Sequence, residues 1–338
     1  MDTVFVADGG GSKTDVALLD TGGALLARRR LPAFPPYRKG PAHTIGRLDA
    51  ALADLCAQAG PCDVAMAALC FAGLDWDYEK AAFRDEARAY PWGRAGLVVD
   101  TDTFPLLRTG TDELPAVAVV CGTGMNCVGR AVDGTTVWFA AVGEISGDWG
   151  GGWTLGMESI WHAARAADGR GPATALARLT PAALGRASMD EVILGFHTGA
   201  LDEGIIRSLA PLIFDAVELG DEVALGVVER QAEEIVAYAT AALRRLGVLG
   251  QPCPVVLGGG VIAPRHESLL SAVDRLLADR APGARAVVVT DPPLVGAALM
   301  AFDALGAGPD VLDRVRDSLR GAAPAPVEQP QPTTSHRP

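Results

Sequence analysis

The sequence predicts an α/β protein with duplicated mixed sheets, and two observations support this. Strand-like and helix-like segments alternate along most of the 338 residues, as is typical of a mixed sheet covered by helices. The pattern restarts near residue 116: residues 4–23 and 116–134 each run from an apolar strand through a loop of small residues to a second strand and a tight turn. We therefore expect two lobes with a central cleft, each built on one copy of the sheet unit.

The first half of the chain alternates regularly. Three strands, VFVADGG, DVALLD and ALLARRR, are joined by a glycine loop and a TGG turn. A helix is predicted over TIGRLDAALADLCAQAG because Ile45, Leu48, Leu52 and Leu55 recur at helical spacing. CDVAMAALCFAGLD and GRAGLVVDTD predict two more strands, separated by the helix-like DWDYEKAAFRDEARAY.

The second half is mostly helical. WFAAVGEI predicts one further strand, and residues 154–281 are helical around the strand PVVLGGG. AVVVTDPPLVGAALMAFDAL predicts a strand and a closing helix at about 294–306, which is expected to pack back on the first lobe. The expected domains are an N-terminal lobe over 1–114, a C-terminal lobe with a helical part over 115–320, and a Pro-rich disordered tail over 321–338.

Composition excludes several classes of protein. With 29 Lys and Arg against 41 Asp and Glu, the net charge is −12, so binding to nucleic acid through a basic face is not expected. No signal peptide is visible, and no apolar run reaches the roughly 18 residues that a membrane span needs. The six cysteines show neither a zinc spacing nor a disulfide framework, which indicates a reduced, cytoplasmic protein.

Two glycine-rich loops between strands are candidates for phosphate binding. The first, DGGGSKTD, lacks the glycine that precedes lysine in a P-loop and the last glycine of the dinucleotide fingerprint. Its bare amides at 9–11 can approach phosphate oxygens, and Asp8 suits Mg²⁺, although a tight turn with a solvated Asp explains the loop equally well. The second, CGTGMNC, occupies the equivalent place in the second copy, and the pair indicates phosphates bound by both loops.

Four weaker candidates follow. VVLGGGVI ends a buried strand in glycines, against which a ring or ribose can lie. Asp100 and Asp102 stand at the carboxyl end of a strand, where one could accept a hydroxyl proton and the other contact a metal's water shell. Asp148 lies in GDWGGGWTLG, a wall suited to a sugar face, and Lys13 could reach a phosphate. Ordinary turns, helix caps and an exposed lysine are the alternatives.

The three glycine-rich motifs resemble the actin-like ATPase superfamily, which includes sugar kinases and Hsp70. DGGGSKTDVALLD, CFAGLD, CGTGMNC, SGDWGGGWTLG and VVLGGGVI resemble the BadF/BadG/BcrA/BcrD ATPase family, in particular its N-acetylglucosamine kinase branch, over residues 3–305. The resemblance implies a two-lobed, ribonuclease H-like fold. It also implies an ATP- and Mg²⁺-dependent kinase that phosphorylates the 6-hydroxyl of an amino sugar, with N-acetylglucosamine expected first and glucosamine or another hexosamine as the alternative.

The resemblance also implies roles for individual residues. Asp102 matches the catalytic aspartate that faces the sugar 6-hydroxyl, and Asp8 lies near Mg²⁺. Asn126 and Asp148 match positions that contact the sugar. The nucleotide-binding positions are Gly10, Gly11, Ser12, Lys13, Thr14, Gly122, Thr123, Gly124, Gly258 and Gly259.

The chain departs from the family pattern in three places. Where the family has Asp-Glu-Gly-Ser, this chain has Asp148-Trp149-Gly150-Gly151. The family usually carries an Asn that binds the sugar at a position where this chain has AFPPY, residues 33–37. A tryptophan is expected just before Gly143, and this chain has Val142 there. These departures concern the identity of the sugar.

Other functions stay open as alternatives. An ATPase activator of a radical dehydratase would hold a [4Fe–4S] cluster with two cysteines per chain, but no cysteine lies between Cys127 and Cys253. A non-catalytic sugar or nucleotide sensor is disfavoured because Asp8, Asp102 and both glycine loops are present. The expected partners are ATP and an amino sugar, with neither nucleic acid nor membrane, and a homodimer is possible because kinases of this kind are often dimers.

Overall fold

The computed structural model describes residues 1–320, and the first of its two sheets has the strand order β3-β2-β1-β4-β5. β1 pairs antiparallel with β2 and parallel with β4. β3 and β5 complete the antiparallel and the parallel edge, respectively. The strands are Asp2–Gly9 (β1), Lys13–Asp20 (β2), Leu25–Pro32 (β3), Asp63–Phe71 (β4) and Leu97–Asp100 (β5).

The second sheet repeats this arrangement strand for strand. Its order is β8-β7-β6-β9-β10, with β6 central, antiparallel to β7 and parallel to β9. The strands are Ala116–Cys121 (β6), Met125–Arg130 (β7), Thr136–Trp138 (β8), Cys253–Gly258 (β9) and Ala284–Val288 (β10). The predicted α/β fold with duplicated mixed sheets is therefore confirmed.

Helices cover both sheets. In the helix Pro41–Ala59 (α2), the predicted apolar stripe is buried at Ile45, Leu48, Leu52 and Leu55. No helix within residues 1–320 is long and apolar enough to cross a membrane. The α-helices are Pro36–Lys39 (α1), Pro41–Ala59 (α2), Asp77–Arg88 (α3), Thr103–Gly110 (α4), Gly151–Ala167 (α5), Leu176–Ala183 (α6), Met189–His197 (α7), Pro211–Glu218 (α8), Glu222–Arg245 (α9), Glu267–Arg280 (α10), Pro293–Ala304 (α11) and Pro309–Arg320 (α12).

The chain forms two compact units. Among the described residues, one unit comprises Met1–Pro105 and 292–320, and the other comprises Leu106–Asp291. In the first, α2 and α3 cover one face of the sheet while α11 and α12 cover the other. The closing helix α11 packs against β1 and β4. In the second, α5, α8, α9 and α10 share one core with the sheet. The lobe limits 1–114 and 115–320 stay a prediction, and the tail predicted at 321–338 lies outside the described residues.

The strand predicted over WFAAVGEI is wrong for most of its length. β8 ends at Trp138, and a single 3₁₀ turn occupies Gly143–Ser146. Ala141 and Gly143 have φ values of +49° and +84°, which an extended strand does not contain. The apolar Ile145 is 94% exposed, so its apolar character does not reflect a buried sheet face.

Two of the six cysteines are paired. Cys56, in the last turn of α2, forms a disulfide with Cys62 just before β4, across a turn that contains Gly60. The expectation of a fully reduced chain is therefore wrong for this pair, because the turn brings the two Cα atoms within 5.9 Å. The remaining four cysteines are buried thiols.

Candidate functional site

The loop from Asp8 to Thr14 is a tight hairpin between β1 and β2. The Gly10 amide donates to the Lys13 carbonyl at 3.0 Å and closes the turn. A Cβ at Gly9 would lie 2.2 Å from the Phe71 ring, so only glycine fits there. Gly11 is half-buried and Ser12 is exposed. The hydroxyl of Thr14 is buried, and no residue within 1–320 hydrogen-bonds to it. The loop therefore offers a polar group suited to a ligand oxygen.

Two acidic side chains lie at this hairpin. A Cβ on Gly10 would be 3.7 Å from Oδ2 of Asp102, which places that carboxylate beside the loop. Burial, together with the charges of Asp102 and Asp15, raises the pKa of Asp8 well above its usual range. Burial and the charge of Asp75 raise the pKa of Asp102 to about 7. A bound cation reduces the electrostatic repulsion between neighbouring carboxylates of this kind.

The carboxylate of Asp8, at the end of β1, is of the kind that Mg²⁺ uses as a ligand. No group of three or more His, Cys, Asp or Glu side chains in the described chain forms a complete metal cage. Mg²⁺ typically uses one or two carboxylates and takes its other ligands from water and substrate phosphates. Burial and the charges of Asp102 and Asp15 raise the pKa of Asp8, and a bound cation would offset both effects.

Lys13 pairs with Asp15 in this structure. Its ammonium lies 3.3 Å from Oδ2 of Asp15. Arg30 donates two hydrogen bonds to the same carboxylate, to Oδ1 at 2.7 Å and to Oδ2 at 2.9 Å. Burial opposes the charge of Asp15, but the Arg30 and Lys13 contacts lower its pKa below the usual value. The lysine predicted to reach a phosphate thus already has a carboxylate beside its ammonium.

The strand end that precedes Asp102 is held by residues that sequence reasoning missed. The Lys80 ammonium lies 2.6 Å from Oδ1 of Asp100, and these side chains are only 12% and 18% exposed. The Thr101 hydroxyl donates to buried Asp75 at 3.1 Å. Asp100 is therefore an ion-pair partner here. Asp75 stands in the quoted motif CFAGLD, but Lys80 carries no signal beyond the rarity of lysine in this chain.

In the second unit, three glycine motifs meet around residues 121–124. The Gly152 amide donates to the Gly122 carbonyl at 2.7 Å, and the Trp153 amide donates to the Thr123 carbonyl at 2.9 Å. The Val261 amide donates to the Cys121 carbonyl at 3.0 Å. The start of α5 and the turn after β9 thus both donate backbone hydrogen bonds to residues 121–123, at the end of β6 and in the loop that follows it.

These close approaches require glycine at two positions. Gly151 has φ +82°, and a Cβ there would lie 2.6 Å from the Gly124 backbone. Gly259 has φ +102°, and its Cβ would lie 2.3 Å from the Cys121 carbonyl oxygen. Gly258 is buried against Leu106, whose side chain would lie 2.4 Å from an added Cβ.

The two predicted sugar-contacting residues also lie in the second unit. The Asn126 side-chain oxygen accepts a hydrogen bond from the Cys127 amide at 2.7 Å. Asp148 accepts hydrogen bonds from the Gly143 amide at 2.9 Å, the Ser146 hydroxyl at 2.6 Å and the hydroxyl of Tyr238. The sequence gives no signal for Tyr238, which lies 90 residues away on α9.

The chain is similar to a family of ATPases and to proteins that are named as sugar kinases. The model of the BadF/BadG/BcrA/BcrD ATPase family matches residues 7–301. The N-acetyl-D-glucosamine kinase of Dictyostelium discoideum is 24% identical over 317 residues, which cover 89% of this chain and 98% of that protein. An N-acetylmuramic acid/N-acetylglucosamine kinase of Clostridium acetobutylicum is 26% identical over 191 residues, covering 56% of this chain and 62% of that protein.

Solved structures share the fold. A candidate N-acetylglucosamine kinase from Chromobacterium violaceum is similar with a TM-score of 0.68 at 23% identity, covering 88% of this chain and 98% of that one. A ROK family glucokinase from Streptomyces griseus, solved with glucose and AMPPNP, gives a TM-score of 0.54 at 18% identity, covering 89% and 99%. The similarity extends over nearly the whole of both solved chains.

Proposed function

Because the chain belongs to the BadF/BadG/BcrA/BcrD ATPase family, we propose that it is an ATP-dependent kinase of an amino sugar. The resemblance read from the glycine motifs is confirmed by this membership. The reaction transfers the γ-phosphoryl group to the 6-hydroxyl and gives the 6-phosphate and ADP. N-acetylglucosamine is the substrate we assign, since a relative matched over 89% of this chain is named as its kinase; glucosamine or another hexosamine is the alternative.

The observation that carries the proposal is the carboxylate of Asp102 beside the glycine hairpin of β1 and β2. Phosphoryl transfer passes through a loose transition state, so the protein mainly positions the partners and offsets charge. We assign Asp102 to orienting the sugar hydroxyl and accepting its proton. A pKa of about 7 suits this role, because a base is most effective when its pKa lies near the working pH.

We assign nucleotide binding to loops of both units. The proposed phosphate ligands in the first unit are Gly10, Gly11, Ser12, Lys13 and Thr14. In the second unit, Gly122, Thr123 and Gly124 bind phosphate while Gly258 and Gly259 border adenosine. Asp8 would hold Mg²⁺, which when bound neutralises charge on the β- and γ-phosphates.

We assign sugar binding to Asn126 and Asp148. Support comes from the donors already arranged around Asp148, which fix the carboxylate as a recognition group requires. Trp149 stands beside it where the family has a glutamate, and this difference bears on which sugar is bound.

The experiment is sugar-dependent ADP release from Mg²⁺-ATP with N-acetylglucosamine, glucosamine, N-acetylmannosamine and glucose. NMR of the product then identifies the phosphorylated oxygen. We expect the highest kcat/KM with N-acetylglucosamine and a phosphate on its 6-oxygen. ATP binding without ADP release on any sugar would indicate the sensor, and iron in the purified protein would indicate the activator. A cytoplasmic location and a homodimer stay predictions. Light scattering on the purified protein in solution tests the homodimer.

A further inference from the structure

The side chain of Tyr238 reaches from α9 to the carboxylate of Asp148. Its hydroxyl donates to Oδ1 of Asp148, and the residue is only 8% exposed. The ring packs edge-on against Phe139, with 5.0 Å between the ring centroids. The packed ring fixes where the hydroxyl lies, so Tyr238 can hold Asp148 in one orientation.

The carboxylate of Asp148 has little acceptor capacity left. Its Oδ2 accepts from the Gly143 amide at 2.9 Å and from the Ser146 hydroxyl at 2.6 Å. The two oxygens of a carboxylate together offer about four acceptor sites. The three donors found within residues 1–320 use both sites on Oδ2 and one on Oδ1. The open acceptor site is therefore on Oδ1, next to the Tyr238 hydroxyl.

Tyr238 remains a donor across the physiological pH range. Burial raises its pKa above the usual value, and the hydrogen bond to Asp148 raises it further. The neutral phenol is the form that can donate to a carboxylate. The contact is therefore a charge-assisted hydrogen bond, which is stronger than one between neutral groups.

We propose that Tyr238 is a positioning residue for sugar binding, which fixes Asp148 so that Oδ1 presents its one open acceptor site to a substrate hydroxyl. The inference rests on the proposed function, in which Asp148 contacts the sugar. It deepens that function by assigning a residue of α9 to substrate recognition. Only one hydroxyl of the sugar is recognised by Asp148 in this arrangement.

The substitution Tyr238→Phe tests the inference because it removes one oxygen and keeps the ring that packs on Phe139. We expect the KM for the sugar to rise about ten-fold, as for the loss of one charge-assisted hydrogen bond, and the KM for ATP to stay within about twofold. Tyr78→Phe is the matched control, since Tyr78 is 70% exposed on α3 and its loss of a hydroxyl should change neither KM.

A double-mutant cycle with Asp148→Asn separates positioning from a structural role. If Tyr238 acts through Asp148, then Tyr238→Phe should add little to the kcat/KM loss of Asp148→Asn. The inference would be overturned if Tyr238→Phe lowered kcat/KM equally in the wild type and in Asp148→Asn, or if it left the sugar KM unchanged. Either result would leave the proposed function standing, provided that the wild type phosphorylates a sugar. A wild-type protein that releases no ADP with any sugar overturns the proposed function, and this inference with it.

Discussion

The Lys80 ammonium lies 2.6 Å from Oδ1 of Asp100, two residues before the proposed catalytic carboxylate of Asp102. It also lies 5.7 Å from the centroid of the Phe104 ring. The Thr101 amide donates to the same oxygen of Asp100 at 3.0 Å. The mostly buried ion pair thus fixes the backbone that leads from β5 to Asp102, and it links this backbone to α3.

The substitution Lys80→Met should therefore impair the chemical step. Without its partner, the carboxylate of Asp100 is left partly buried and unpaired, and the turn that carries Asp102 must rearrange to solvate it. We expect kcat to fall about ten-fold or more, since a displacement of about 1 Å can cost 10²-fold, while the KM for ATP changes little. Steady-state kinetics with the sugar at saturation measures this.

Arg88→Met is the matched control for Lys80→Met. Arg88 lies on the same helix and pairs with Asp85, but both side chains are exposed. Exposed pairs contribute little, so this variant should keep the wild-type kcat. A Lys80→Met enzyme with the kcat of the Arg88→Met control would show that the ion pair does not position Asp102.

Gly151→Ala should disrupt the second glycine loop. Its Cβ would lie 2.6 Å from the Gly124 backbone in a conformation with φ +82°. Gly169→Ala has nearly the same backbone strain, φ +80°, but nothing within 4 Å of the new atom. The control should lose about 1–2 kcal/mol from the conformation alone. Gly151→Ala should have a clearly lower Tm and weaker ATP binding, as measured by thermal unfolding and calorimetry; equal behaviour of the two variants would contradict the assigned packing.

The pKa of Asp102 predicts a pH-dependent cost in stability for the protein without metal and nucleotide. Its folded-state pKa of about 7 exceeds the unfolded value of about 3.9, so the folded state binds more protons. Stability should therefore fall as pH rises from about 4 through 7, and the full cost is present above pH 7. Asp102→Asn removes this cost, so it should raise Tm by a few degrees at pH 8 and by less at pH 5. A Tm difference that is the same at both pH values would contradict this.

Local patterns in the sequence were sufficient to predict most of the strands and the helix α2. The apolar stripe from Ile45 to Leu55 predicted α2, and the glycines at 9–11, 122 and 124 marked the two hairpins. The sequence predicts a strand over WFAAVGEI because its apolar residues resemble those of a buried strand. In the structure, Val142 and Ile145 are exposed. Burial there depends on what packs against the segment.

The partners of the acidic residues could not be predicted from spacing. Tyr238 and Asp148 are separated by 90 residues, and Lys80 and Asp100 by 20, so the fold alone brings each pair together. Asp102 and Asp148 themselves could be singled out because each stands beside a strand end or a glycine motif. The sequence therefore predicts candidate reactive groups better than it predicts the residues that hold them.

The role of Asp102 is tested most directly by comparing the wild type with Asp102→Asn for Mg²⁺-ATP binding and for phosphoryl transfer to N-acetylglucosamine. The amide keeps the size of the side chain but cannot accept the hydroxyl proton. We expect the ATP dissociation constant to stay within about twofold and the single-turnover rate of transfer to fall by about 10²–10⁴-fold. An Asp102→Asn protein that transfers the phosphoryl group at nearly the wild-type rate would contradict the account.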